Sequence, residues 1–158
     1  MPKRSARHLR RVSSAEILAA YRNERDYELL DAIVTAAALM SRADGWVQLV
    51  ERGAMLDFLD RNQFLPLFTR ENILALFEDR VRDVREPDGA IVAVMRLRHY
   101  ARRSSGAVGL IVDMAREIAV ADCRLDPREQ SVLQLVDSAV SAEVSAMDAE
   151  VLPGQAAR

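Results

Sequence analysis

A chain of 158 residues is most simply one domain, long enough to bury a real core. Half of its residues are hydrophobic, 29% are charged and 5% are aromatic, a balance that suits a soluble globular protein and favours helices over strands. The net charge of −2 gives no overall pull toward nucleic acid or anionic membrane, and the single cysteine, Cys123, excludes an intrachain disulfide.

The basic start, residues 1–12, is followed by no apolar segment of a secretory signal and reads as a solvated tail. Residues 32–40 form the longest markedly apolar stretch, far too short to span a bilayer, so no membrane insertion is expected and the chain fits a bacterial cytoplasm. Lys3 is the only lysine, which reads as a GC-rich genome rather than as chemistry.

Ser13 followed by Glu16 has the form of a capping box, and a first helix is predicted over residues 14–25. A second is predicted over 26–42, with Leu29, Leu30, Ile33, Ala37 and Met40 inward. Gly45 ends it by accepting positive φ. A third helix over 49–61 turns Met55, Leu56 and Leu59 inward, and its Gly53 would admit a close neighbour. Phe64, Leu65 and Leu67 plug the connection that follows, and Pro66 stops helix propagation. Thr69 caps a fourth helix over 70–84, whose Ile73, Leu74, Phe77, Val81 and Val84 repeat at helical spacing. Glu86-Pro87-Asp88-Gly89 is a break before a fifth helix over 90–103. A sixth over 108–121 buries Ile111, Met114, Ala115 and Ile118, and a seventh over 127–144 buries Val132, Leu133, Val136 and Val140. The expected fold is all-α: a compact bundle of about seven helices in one domain over residues 13–150, with a frayed tail at 151–158.

Two segments align without a gap. Ala43-Asp44-Gly45-Trp46-Val47-Gln48-Leu49-Val50-Glu51 matches Ala121-Asp122-Cys123-Arg124-Leu125-Asp126-Pro127-Arg128-Glu129, with Asp44 on Asp122 and Glu51 on Glu129. Each closes one apolar helix and opens another, so a helix-turn-helix unit is used twice. Helix capping accounts for these acids: Asp126 is an N-cap, Pro127 stands at the first helical position, and Glu129 completes a capping box. Glu51 holds the same place in the first corner, where Gln48 is a poor cap. The same oxygen donors, Asp44, Glu51, Asp122, Asp126 and Glu129, also suit a Ca²⁺, Mg²⁺ or Mn²⁺ site if the corners meet at one end of the bundle. Neither corner has the spacing of an EF-hand loop.

Asp-Gly-x-Val-x-x-x-Glu from Asp44 and Asp-x-x-Leu-Asp-Pro-x-Glu from Asp122, each after an alanine-rich helix, resemble the TerB family of tellurite-resistance proteins. The domain is also similar to one near the N-terminus of certain membrane-bound J-domain co-chaperones. The resemblance spans residues 26–140. It implies a seven- or eight-helix bundle of the bacterial cytoplasm, associated with tellurite and other stress resistance, with an acidic surface for metal ions and no established enzymatic activity. Carried over by position, that surface uses Asp44, Glu51, Asp122 and Glu129, while Gln48, Leu49 and Cys123 depart from the pattern. Tellurite is an oxyanion, which carboxylates repel, so these acids are not its direct receptor.

The stretch from Arg96 to Arg103 is the densest in basic residues, and its Arg98 and Arg102 are candidates for contact with an acidic partner or with an acidic end of another copy. Trp46, in the first corner, either plugs the bundle end or anchors a protein partner. No glycine-rich phosphate loop, nucleophile elbow or Glu-x-x-His di-iron pattern is present, so the expectation is a non-enzymatic binding or scaffold protein. A deep polar pocket around His99 would argue for an enzyme instead.

Overall fold

The alanine-rich stretch predicted to sit in a helix is buried on every side. In the computed structural model, which describes residues 14–43, 45, 48–121 and 126–150, each side chain from Ala32 to Met40 is out of contact with solvent. A helix apolar all round belongs inside a bundle. The small Ala36, Ala37 and Ala38 let neighbouring helices approach this one closely from several directions, which a run of leucines would prevent. Thr35 is accommodated there because its Oγ1 donates to the Asp31 carbonyl at 2.6 Å.

This central helix, α1 (Ser14–Arg42), is continuous. The two helices expected over 14–25 and 26–42 are therefore one. Asn23-Glu24-Arg25-Asp26 is polar but contains neither glycine nor proline, so it interrupts the hydrophobic pattern without interrupting the backbone. Around α1 stand α2 (Leu49–Arg61), α3 (Arg70–Arg85), α4 (Gly89–Arg103), α5 (Val108–Ala119) and α6 (Pro127–Glu150), with a 3₁₀ turn at Ser105–Ala107. The described residues thus form six α-helices and no strand. α5 ends two residues sooner than expected, at Ala119, and α6 runs on to Glu150. The capping box at Ser13, the tail 151–158 and the basic start lie outside the described residues.

Helix α1 packs on α3, α4, α5 and α6, whereas α2 leans mainly on α5. Paired residues give the directions. Arg103 of α4 reaches Glu28, Arg96 of α4 approaches Asp31, and Ala90 lines one groove with Leu39 and Ala43, so α4 runs antiparallel to α1. The core joins Ile33, Leu59, Phe77, Leu97, Ile111, Met114 and Val136, one or more from every helix. Burying each such side chain contributes about 1.5–3 kcal/mol before the entropy of ordering is charged against it. Phe58 and Leu76 join the buried set, as do Ala93 and Ala101, while the expected Leu56, Leu74, Val132 and Leu133 are only partly covered.

The connections carry local chemistry. Gly45 has φ of 80°, as its place after α1 predicts. Thr69 Oγ1 accepts from the Asn72 amide at 3.2 Å and caps α3. Phe64 is a buried plug between α2 and α3, but Leu67 is exposed. Gly53 has open space where a side chain would be, so no neighbour needs its small size. Gly89 is the glycine under real constraint: a Cβ there would overlap the Asp83 carbonyl oxygen and press on Val84 Cα at 2.8 Å. Its amide donates to Glu86 at 2.9 Å, closing the tight turn from α3 into α4.

Candidate functional site

Helices α2 and α6 begin in the same way. Glu51 and Glu129 both stand at the third helical position, and both are drawn inside, each with 3% of its surface exposed. The Gln48 amide donates to Glu51 Oε2 at 2.7 Å, and the Asp126 amide donates to Glu129 Oε2 at 2.9 Å. A buried carboxylate is costly without donors, and a helix start supplies them along with the favourable end of the dipole. The arrangement is reciprocal at both starts: Gln48, expected to cap poorly, completes a capping box with Glu51 at α2, and at α6 Asp126 Oδ1 accepts from the Arg128 amide at 2.6 Å and from the Glu129 amide at 2.9 Å. This is the capping box expected from Asp126-Pro127-Arg128-Glu129.

The end of α1 and the start of α6 lie at one end of the bundle. Arg42 and Ala43, which lead out of α1 into the first corner, line one groove together with Pro127 and Arg128, which lead out of the second. The groove has a volume of about 490 Å³ and is mostly apolar, its walls completed by Leu39, Ala90, Ser131, Val132 and Leu135. Of the acids singled out for a cation, Glu51, Asp126 and Glu129 are described, and Asp44 and Asp122 lie outside the described residues, as do Trp46 and Cys123. Among the described residues, no three His, Cys, Asp or Glu side chains stand together closely enough to hold a metal ion. Glu51, Asp126 and Glu129 do not make a metal site by themselves.

The profile of one family, Tellurite resistance protein TerB, matches residues 30–152. The chain belongs to the TerB family. The match begins in the buried centre of α1, crosses both acidic corners and ends just beyond α6. No curated protein and no solved structure gives a significant match. The family assignment thus covers the same helical core that the paired corners frame.

A second cluster of charge in this TerB-family chain was not visible in the sequence. Arg80 of α3 lies between Asp31 of α1 and Asp83, donating to Asp31 Oδ1 from Nε and to Asp83 Oδ2 from Nη1, both at 2.7 Å. Arg96 of α4 stands 4.0 Å from Asp31 and 3.9 Å from Asp83. Burial works against the Arg80 charge, but its two carboxylate partners outweigh it and raise the guanidinium pKa above its ordinary value. Asp31 and Arg80 are 49 residues apart, and sequence spacing carries no signal for such a pair.

Next to this cluster is a cleft of about 210 Å³ containing His99, with Glu28, Asp31, Arg96, Tyr100 and Arg103 on its walls. It is the polar pocket whose presence would favour an enzyme, yet its charges are committed to one another. Arg103 Nη1 reaches Glu28 at 3.0 Å, and Arg96 faces Asp31. Among the described residues, no serine, cysteine or threonine lines it. Burial pushes the Tyr100 hydroxyl pKa up, against the lowering influence of its hydrogen bond to Ser104 and of Arg25. The pairs across this cleft fasten α4 to α1. Arg98 and Arg102 are exposed on another flank of α4.

Proposed function

We propose that the chain is a non-enzymatic binding or scaffold module of the bacterial cytoplasm that serves a tellurite or metal stress response. The observation that carries this reading is the TerB match over residues 30–152, unbroken across both corners. Two features support a binding role. The bundle presents a broad apolar groove at the end where α1 stops and α6 starts, and its densest polar cleft is occupied by mutual ion pairs. No helix among the described residues is long and apolar enough to cross a membrane, which agrees with work in an aqueous compartment. The test is growth on tellurite of a bacterial strain from which its own TerB protein has been removed. Expression of this chain is expected to restore growth, and failure of the expressed, folded chain to do so would overturn the proposal.

A second reading is favoured by the matching burial of Glu51 and Glu129. In this reading the corners bind Ca²⁺, Mg²⁺ or Mn²⁺ through Asp44, Asp122 and these helix starts. All the donors are carboxylate oxygens, the set that hard cations prefer. A cation bound to the folded state alone raises the melting temperature. Millimolar Ca²⁺, Mg²⁺ or Mn²⁺ should therefore raise it in the wild type and not in Asp44→Asn/Asp122→Asn. An unchanged melting temperature with all three ions would eliminate this reading.

A further inference from the structure

Among the described residues, nothing covers the outer face of α4. Ile91, Val92 and Met95 are 63%, 50% and 62% exposed. At about 100° per residue they point the same way as Asp88, just before the helix, and as Arg98 and Arg102 toward its end. The inner face, with Ala93, Val94, Leu97, Tyr100 and Ala101, is buried in the bundle.

The outer face changes character along its length. Its start is acidic: Glu86 and Asp88 are exposed and line a shallow cleft with Val92. Asp88 holds the N-cap position, yet its carboxylate makes no capping hydrogen bond. Neither acid has an ion-pair partner among the described residues. The middle is apolar. The far end is basic, and Arg98 there is likewise unpaired among the described residues. Neighbouring charges leave this order intact. Asp83 is held by Arg80, and Arg96 is turned toward Asp31 and Asp83. Arg85 shares a side of α3 with Glu78, which faces Arg52 of α2. On α6, Arg128, Ser131 and Leu135 line the groove beside Ala90, on the opposite side of α4 from Val92 and the acidic cleft. Glu129 is buried in its cap, and Asp137 falls about 200° around α6 from Leu135.

Reversing such a face exchanges its acidic and basic ends. Asp88 and Arg98 stand equally far from Ala93, as do Ile91 and Met95. A second α4 laid antiparallel at that level therefore sets each Arg98 opposite the other copy's Asp88, and each Ile91 opposite the other's Met95. The face is complementary to itself in this orientation, as a two-fold contact requires. A parallel arrangement would set arginine on arginine and acid on acid, which repel.

We propose that the outer face of α4 is the contact between two copies of this chain, packed antiparallel about the level of Ala93, with Ile91 and Met95 at the centre and an Arg98–Asp88 pair at each end. Three apolar side chains per copy make a small centre, so the dimer is weak and forms with rising concentration. Self-association of this kind is independent of the tellurite and cation readings. The test is sedimentation velocity on the full chain across a concentration series reaching the millimolar range. The wild type should pass from monomer to dimer. Asp88→Arg and Arg98→Asp each set like charges together at both ends, and each should weaken self-association by more than about tenfold. Met95→Glu, which leaves both charge pairs in place, should do the same. Circular dichroism is expected to show all three folded as the wild type. An equimolar mixture of Asp88→Arg and Arg98→Asp restores opposite charges at both ends and should dimerise about as the wild type does. A mixture no more associated than its separate components, or single variants that associate like the wild type, would overturn the proposal. A wild type that stays monomeric throughout would overturn it too and leave the face to a partner of another kind.

Discussion

Gly89 shows how one residue fixes a junction. The turn from α3 to α4 brings its backbone against Asp83 and Val84, leaving no room for even a methyl group. Gly89→Ala should therefore cost more than about 2 kcal/mol in chemical denaturation, well beyond the effect of an ordinary surface substitution. Gly53→Ala, in open space within α2, should instead stabilise by up to about 1 kcal/mol. The sequence marks both as glycines inside or beside a helix and cannot distinguish them, because the difference lies in a carbonyl oxygen six residues away in the chain.

Tyr100 supplies a pH effect. Burial raises its pKa in the folded state above the ordinary tyrosine value near 10. The folded chain then holds the phenol proton more tightly than the unfolded chain. Stability from this group is complete below pH 10 and is lost as pH rises from there through the folded-state pKa. Unfolding free energy measured across the alkaline range should fall for the wild type and fall less steeply for Tyr100→Phe.

Among the elements, α1 is the organiser, and its partners are chosen by both packing and charge. Asp31 lies where α1, α3 and α4 meet, and both it and Arg80 are less than one-fifth exposed at the side chain. Asp31→Ala should cost about 1.5–3 kcal/mol, because it strips a charged hydrogen bond from a guanidinium that is already partly desolvated. The exposed Arg82–Asp79 pair within α3 offers a contrast: Asp79→Ala should change stability by no more than about 0.5 kcal/mol. Thermal melts of the two variants check both values.

Legibility follows the range of the interactions. Capping at Thr69 and Asp126, the break at Glu86-Pro87 and the positive φ of Gly45 are local, and the sequence shows each of them. Hydrophobic periodicity divides α1 at residue 25 where the backbone does not, because periodicity reports burial and a helix can leave the core without ending. The burial of Ala32 to Met40 on all sides depends on four neighbouring helices, and the groove depends on three elements meeting. Glu51 and Glu129 were legible as capping acids, whereas their withdrawal from solvent was not, because it depends on how each helix start seats against the bundle.

For the whole molecule, the duplicated corner is the unit that repeats, and the packing around it is not duplicated. α6 packs on α5, its partner across the second corner, whereas α2 turns away from α1 to lie mainly on α5. The shared feature is the buried glutamate at each helix start, and the residues that flank the two corners, Arg42 and Ala43 on one side and Pro127 and Arg128 on the other, line one groove. Placement of both corners at one end of the bundle is the claim on which the cation reading depends. The measurement that tests it most directly is a spin-label distance between Arg42→Cys, at the exit of α1, and the native Cys123 in the second corner. Corners at one end predict a single short distance of about 20 Å, on the order of two helix diameters. A distance beyond about 30 Å, the length of a twenty-residue helix, would place the corners at opposite ends and contradict the account.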